Sequence, residues 1–173
     1  MRTLELPFRT AFIAVAISLM TLLTGCGVSL SSQEKKALQE QTARAVSQRL
    51  DERSYTIVVD YMTPLRGPGR AISSPYSLTV DGTTVDSYLP YVGVARNVPY
   101  GGGKVLTFKD EIEEYRDSGF SKDRRTIVFS TDNGEDLIVY TLTVFDNGKA
   151  SVDVHCRNRE DISYRGYLKT EAD

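Results

Sequence analysis

The sequence predicts a mainly β protein, an antiparallel sandwich or open barrel of about eight strands, preceded by a single N-terminal helix. Three observations carry this. From Tyr55 onward, segments rich in β-branched and aromatic residues are cut by Gly, Pro, Asp and Asn at intervals of about ten residues. No helix-period stretch of useful length interrupts them, so consecutive strands pair antiparallel, because parallel pairs need crossovers of roughly a dozen residues or more. Ahead of them, Ser31-Ser32-Gln33-Glu34 reads as a helix start, with Ser31 as N-cap and Glu34 completing a capping box.

The chain organises into four parts. Residues 1–25 have the three parts of a secretory signal: a basic start with Arg2 and Arg9, a low-polarity stretch of 13 residues from Ala11 to Leu23, and small residues before a cysteine. That stretch suits a signal core and falls short of the ~20 residues that cross a bilayer. Leu23-Thr24-Gly25-Cys26 resembles the lipobox of bacterial lipoproteins, which implies cleavage before Cys26 and acylation of that residue. Two or more acyl chains hold a membrane far better than one, so the expected state is anchored and not spanning. Gly27 follows the cysteine where an Asp would signal retention, and by analogy with lipoprotein sorting the expected address is the outer membrane, facing the periplasm. Residues 26–32 form a short lipidated tether. A helix follows over 33–52, with a narrow apolar stripe of Leu38, Ala45, Val46 and Leu50. Residues 53–173 make up the β-domain.

Composition narrows the partners. The whole chain has 21 basic and 23 acidic residues; without Arg2, Arg9 and Glu5 it keeps 19 and 22, a net charge of −3. Such mild acidity argues against nucleic acid as a partner. With Cys26 acylated, Cys156 has no partner for a disulfide, and stability rests on the core.

Strands are expected over Tyr55–Met62, Tyr76–Asp81, Thr84–Leu89, Lys104–Lys109, Arg125–Thr131, Asp136–Phe145, Lys149–Arg157 and Asp161–Leu168, with a short strand or turn around Glu113–Arg116. Register follows from keeping apolar residues on one face. A three-residue loop Asp146-Asn147-Gly148 sets Val144 opposite Ala150, Leu142 opposite Val152, Tyr140 opposite Val154 and Ile138 opposite Cys156, with Gly148 in the left-handed position. At Asp132-Asn133-Gly134-Glu135 an even loop would set Phe129 opposite Ile138, at the cost of facing Asp132 toward Glu135.

Candidate chemistry is sparse. His155, the only histidine, projects away from Cys156 between Asp153 and Arg157, with no second histidine to share a metal. Cys156 sits on the apolar face and reads as a small hydrophobe. Gly101-Gly102-Gly103-Lys104 lacks the earlier glycine and the Ser or Thr of a phosphate loop, so no cofactor is implied. Arg66-Gly67-Pro68-Gly69-Arg70 is a turn carrying two cations. Ten tyrosines accompany no tryptophan. Tyr88, Tyr91 and Tyr100 cluster with Pro90 and Pro99, and Pro90 makes this segment an edge or takes it out of the sheet. Aromatic rings with one apolar face and one hydroxyl suit a binding cleft.

The segment Ser87-Tyr88-Leu89-Pro90-Tyr91-Val92-Gly93, with Pro64-Leu65-Arg66-Gly67 upstream and Ile162-Ser163-Tyr164-Arg165-Gly166-Tyr167 near the end, resembles an uncharacterised lipoprotein family, domain of unknown function 4251. The resemblance runs from about residue 40 to the C-terminus. It implies a Gram-negative envelope lipoprotein without an established activity, and it supplies no catalytic residues. The expected function is a non-enzymatic binding or structural module, the binding form taking an envelope protein, a glycan or a small apolar ligand through Tyr88, Tyr91 and Tyr100, assisted by Arg66 and Arg70. The rival is a hydrolase of cell-wall or glycan material using carboxylates such as Asp81, Asp86 or Asp110, which must stand about 5 Å or 6.5–9.5 Å apart.

Overall fold

The computed structural model of the chain describes residues 31–73, 75–94 and 106–170. Cys26 with its signal and tether, Tyr100 and the glycine run at 101–103 lie outside the described residues. The chain falls into two compact units, Met1–Lys35 and Lys36–Asp173. In the first, the predicted capping box is present: the Ser31 N–H donates to Glu34 Oε2 at 2.7 Å, and the Glu34 N–H donates to Ser31 Oγ at 3.2 Å. Helix α1 covers Ser32–Asp51. Only the C-terminal half of its apolar stripe is used. Val46 and Leu50 are buried, whereas Leu38 is 54% exposed.

Among the described residues ten strands follow: β1 (Ser54–Pro64), β2 (Arg70–Ala71), β3 (Ser77–Asp81), β4 (Thr84–Tyr88), β5 (Thr107–Glu111), β6 (Glu114–Ser121), β7 (Arg124–Asp132), β8 (Leu137–Phe145), β9 (Lys149–Cys156) and β10 (Ile162–Leu168). They form one sheet in the order β5-β4-β3-β1-β10-β9-β8-β7-β6, with β2 added to β1. Every pairing is antiparallel. Of the two predicted architectures, the sandwich is replaced by a single curled sheet, a half-barrel. Its two edge strands are separated only by Ile112 and Glu113. The Ile112 N–H donates to the Thr83 carbonyl and the Glu113 N–H to the Ser130 carbonyl, so this corner bonds to both ends of the strand order. The Thr131 hydroxyl adds a bond to the Glu111 carbonyl at 2.8 Å.

The interior is lined by alternate residues of each strand, including Ile57, Val80, Val85, Ile127, Leu142 and Val152. Three buried tyrosines reach across it. Tyr140 on β8 donates to Ser87 Oγ on β4 at 3.1 Å, and Ser87 Oγ donates in turn to the Leu106 carbonyl at 2.9 Å. Tyr164 on β10 donates to the Pro90 carbonyl at 2.7 Å. Tyr55 on β1 meets the Tyr115 hydroxyl on β6 at 3.4 Å. At the far end of β7, buried Arg125 is gripped by Asp117, and by Asp51 of α1 at 2.6 Å.

The loop between β8 and β9 has the predicted register: Val144, Leu142, Tyr140 and Ile138 face Ala150, Val152, Val154 and Cys156, with Gly148 at φ 82°. The loop between β7 and β8 differs. Phe129 lies opposite Tyr140, not Ile138, so the turn holds four residues, Asn133–Asp136. The parity is kept and so are the faces, but Asp132 now faces Leu137 and the predicted clash with Glu135 disappears. Asn133 Oδ1 caps the N–H groups of Glu135 and Asp136, and the Phe129 and Tyr140 rings stack at 4.9 Å. Strand β6 is full length where only a short piece was expected. Its sequence is polar because most of it is exposed on a sheet edge.

A β-bulge interrupts β1 against β10. Val59 pairs with Gly166 and Tyr61 with Arg165, leaving Asp60 unopposed except for its carbonyl, which accepts from the Ile72 N–H at 2.9 Å. A side chain at position 166 would run into the Val58 carbonyl oxygen, so the backbones approach this closely only over glycine. Gly166→Ala should therefore destabilise the domain by about 1–3 kcal/mol or more, read as a lowered urea midpoint at unchanged slope. A midpoint equal to that of the unmodified chain would refute the close approach.

Candidate functional site

One end of the sheet gathers the segments that follow β1 and β4 and the turns before β8 and β10. In the turn Arg157–Asp161, Arg159 and Glu160 are buried, as is Asp136 from the turn before β8. Buried charges persist only when paired and hydrogen-bonded. Asp136 accepts from the Asn158 N–H at 3.1 Å and lies 3.8 Å from Arg159, whose guanidinium also reaches Glu135 at 3.3 Å.

Glu160 organises the rest. Its Oε1 pairs with Arg66 Nε at 2.9 Å, and its Oε2 accepts from the Val94 N–H at 3.1 Å. Its own N–H donates to the Val94 carbonyl at 3.2 Å, and its carbonyl accepts from the Tyr91 hydroxyl at 3.0 Å. Burial raises the Tyr91 hydroxyl above its ordinary range. Beside these groups is a cavity of about 370 Å³ lined by Leu65, Leu137, His155, Cys156, Arg159 and Glu160 among others. His155 is exposed, with Nδ1 at 2.7 Å from Asp161 Oδ1, while Cys156 is buried behind it. Among the described residues no group of His, Cys, Asp and Glu is arranged to hold a metal ion, and no helix is long and apolar enough to cross a membrane.

The residues singled out by sequence divide between places. Arg66 and Tyr91 converge on Glu160. Tyr88 is exposed on β4, its ring tilted against that of Tyr76 with centroids 5.1 Å apart. Arg70 is exposed on β2 opposite Met62 and contributes none of the bonds to Glu160. Pro90 takes the chain out of the sheet after Tyr88, one of the two alternatives it raised. The three carboxylates of the hydrolase reading do not share one face: Asp110 is opposite Val85 and shares its inward face, while Asp86, opposite Lys109, is exposed on the outward face. Asp81 ends β3 opposite Thr84. Glu160, Arg159 and Asp136 went unrecognised in the sequence, where charges flanking a turn carry no mark of burial.

Cys156 offers little nucleophilic chemistry. Burial, with Asp136 nearby, pushes its thiol from 9.0 up to about 12, so the reactive thiolate is suppressed at neutral pH. The unfolded thiol ionises near 9.0 and the folded one near 12, so in that window the native state holds the extra proton and stability falls as pH rises. Burial of Tyr140 and Tyr164 shifts them upward too and acts in the same direction. The urea midpoint should thus decline above about pH 9. In the Cys26→Ser chain, Cys156 should react with a thiol reagent at pH 8 only once denaturant is present; rapid labelling without denaturant would contradict the burial.

No curated protein matches this chain. A crystal structure of a DUF4251 family protein from Bacteroides eggerthii is similar in fold, with a TM-score of 0.58 and 15% identity, over 76% of this chain and 89% of that one. The family model described as domain of unknown function (DUF4251) matches residues 37–168, from within α1 to the end of β10. The chain belongs to the DUF4251 family.

Proposed function

We propose that this protein is an acyl-anchored envelope lipoprotein that works by binding a partner protein, not by catalysis, and that the contact is the rim built on Glu160. The observation that carries the reading is the way this rim presents apolar side chains. Leu65 is 61% exposed, Val92 41% and Val94 58%. Leu65 adjoins Arg66, and Val94 is bonded through both its N–H and its carbonyl, so both are held by one buried glutamate. Apolar side chains fixed outward on a polar scaffold mark an interaction surface, and a buried ion network that fixes their position limits the ordering cost of binding. The lipobox at Leu23–Cys26 supports the anchor. The separation of Asp110 from Asp81 and Asp86 on opposite faces of the sheet, and the suppressed thiol, favour binding over hydrolysis.

Two measurements test this. Cys26→Ser should move the protein from the membrane pellet to the soluble fraction; retention in the pellet would sink the anchor. The pair Leu65→Glu with Val94→Glu should abolish cross-linking to the envelope protein that the unmodified chain captures, while the thermal melt stays within a few degrees because both side chains face water. Undiminished cross-linking by a folded double variant would overturn the rim.

A further inference from the structure

The outer face of the sheet is mostly small and polar, with Thr56, Thr79, Thr126, Thr141, Thr143, Ser151 and Ser163 half-buried along its strands. One patch combines aromatic rings with charges of both signs. Across β1, β10 and β9 the register sets Tyr61 beside Arg165, and Tyr167 beside Lys149, with Phe145 at the end of β8. These side chains and Asp60 line a cleft of about 560 Å³. We propose that this cleft is a glycan-binding site whose ligand is a neutral pyranose chain stacked on Tyr167. The proposal is independent of the rim reading and concerns a different face.

The patch is constructed, not left over. Strand alternation would turn Tyr61 inward and Met62 outward if β1 ran without interruption. The bulge at Asp60 inverts that phase, which buries Met62 and brings Tyr61 outside; re-aiming a side chain is a recurrent use of bulges. Gly166 is the residue that admits the bulge. Tyr61 is then fixed between two neighbours. The Arg165 guanidinium lies over its ring at 4.4 Å, and Gly69 approaches so closely that a Cβ there would touch the ring. Tyr167, 48% exposed, is left with a ring open to solvent.

The chemistry around the rings selects the ligand class. A pyranose has one face of C–H groups that packs on an aromatic ring, and an equatorial rim of hydroxyls that both donate and accept. The cleft offers both halves: the Tyr167 ring with Phe145 nearby, and donors on Arg165 and Lys149 together with the acceptor Asp60. A lipid phosphate would pair with Arg165 or Lys149 but leave the Tyr167 ring uncovered. An apolar peptide anchor would strip water from three charged groups without pairing them, a costly exchange.

The test uses the full chain in detergent, titrated calorimetrically with hexamers of β-1,4-glucose, β-1,4-N-acetylglucosamine and α-mannose, and with vesicles containing phosphatidylglycerol. With no tryptophan in the chain, tyrosine emission gives a second readout. At least one hexamer should bind. Tyr167→Ala should weaken it about tenfold, the loss of one stacked ring, and Lys149→Ala, at an exposed strand end, should weaken it less. Both variants should melt as the unmodified chain does, and the Leu65→Glu, Val94→Glu chain should bind the sugar normally. Failure of all three hexamers, equal affinity in folded Tyr167→Ala, or binding to the vesicles alone would overturn the proposal.

Discussion

Two residues, Ile112 and Glu113, separate the two edge strands of one sheet. Three peptide units reach at most roughly 11 Å between the Cα atoms of Glu111 and Glu114. Laid flat, the nine strands of the main order would hold β5 and β6 roughly 40 Å apart. The sheet therefore has to curl until its edges share a corner. A curled sheet encloses a hollow, and a single helix that buries only Val46 and Leu50 cannot fill it. The tyrosines meet that demand. Tyr140, Tyr164 and Tyr55 are long enough to cross from one wall and polar enough to bond to what they meet, at about 1 kcal/mol net for each bond made. Phenylalanine would supply the volume without fixing the opposite wall.

The same curvature accounts for the rim. Strands that converge at one end bring the segments following β1 and β4 against the turn that precedes β10, and Glu160 bonds to both segments. Its charge is tolerable because both oxygens are engaged, by Arg66 and by the Val94 N–H. On the outer surface the bulge at Asp60 has a comparable role. A single inserted residue shifts the phase of β1, and the aromatic patch around Tyr61 and Tyr167 follows from it.

What the sequence revealed depended on how local the cause was. The capping box at Ser31–Glu34 and the register of β8 on β9 were readable because neighbouring residues decide them: in the second case only one register keeps both sides apolar. The turn before β8 was misread because its geometry depends on Asp136, which is bonded to Asn158 in a turn more than twenty residues later. Strand β6 was underestimated because an exposed edge has no burial pattern to display. The role of Glu160, and the division of the tyrosines between core and surface, are set by contacts across the barrel. Arg66 and Tyr91 were found by composition, yet the glutamate that joins them was not, since nothing near it in sequence distinguishes it from its exposed neighbours Arg157 and Asp161.

Strand β1 sits in the middle of the sheet, between β3 and β10, and Ile57 pairs with Leu168. The first strand of the domain thus waits for the last. Until β10 has emerged, β1 has only β3 and β2 beside it, and the wall carrying Tyr164 is missing. Pairings this distant in sequence are reached slowly, because the closure entropy of the intervening chain is lost before any contact repays it. A chain released progressively from its N-terminus would remain unclosed until β10 has emerged. On the envelope reading proposed above, which has the chain cross a membrane unfolded, that delay is an advantage: the order of its strands keeps it threadable until it no longer needs to be.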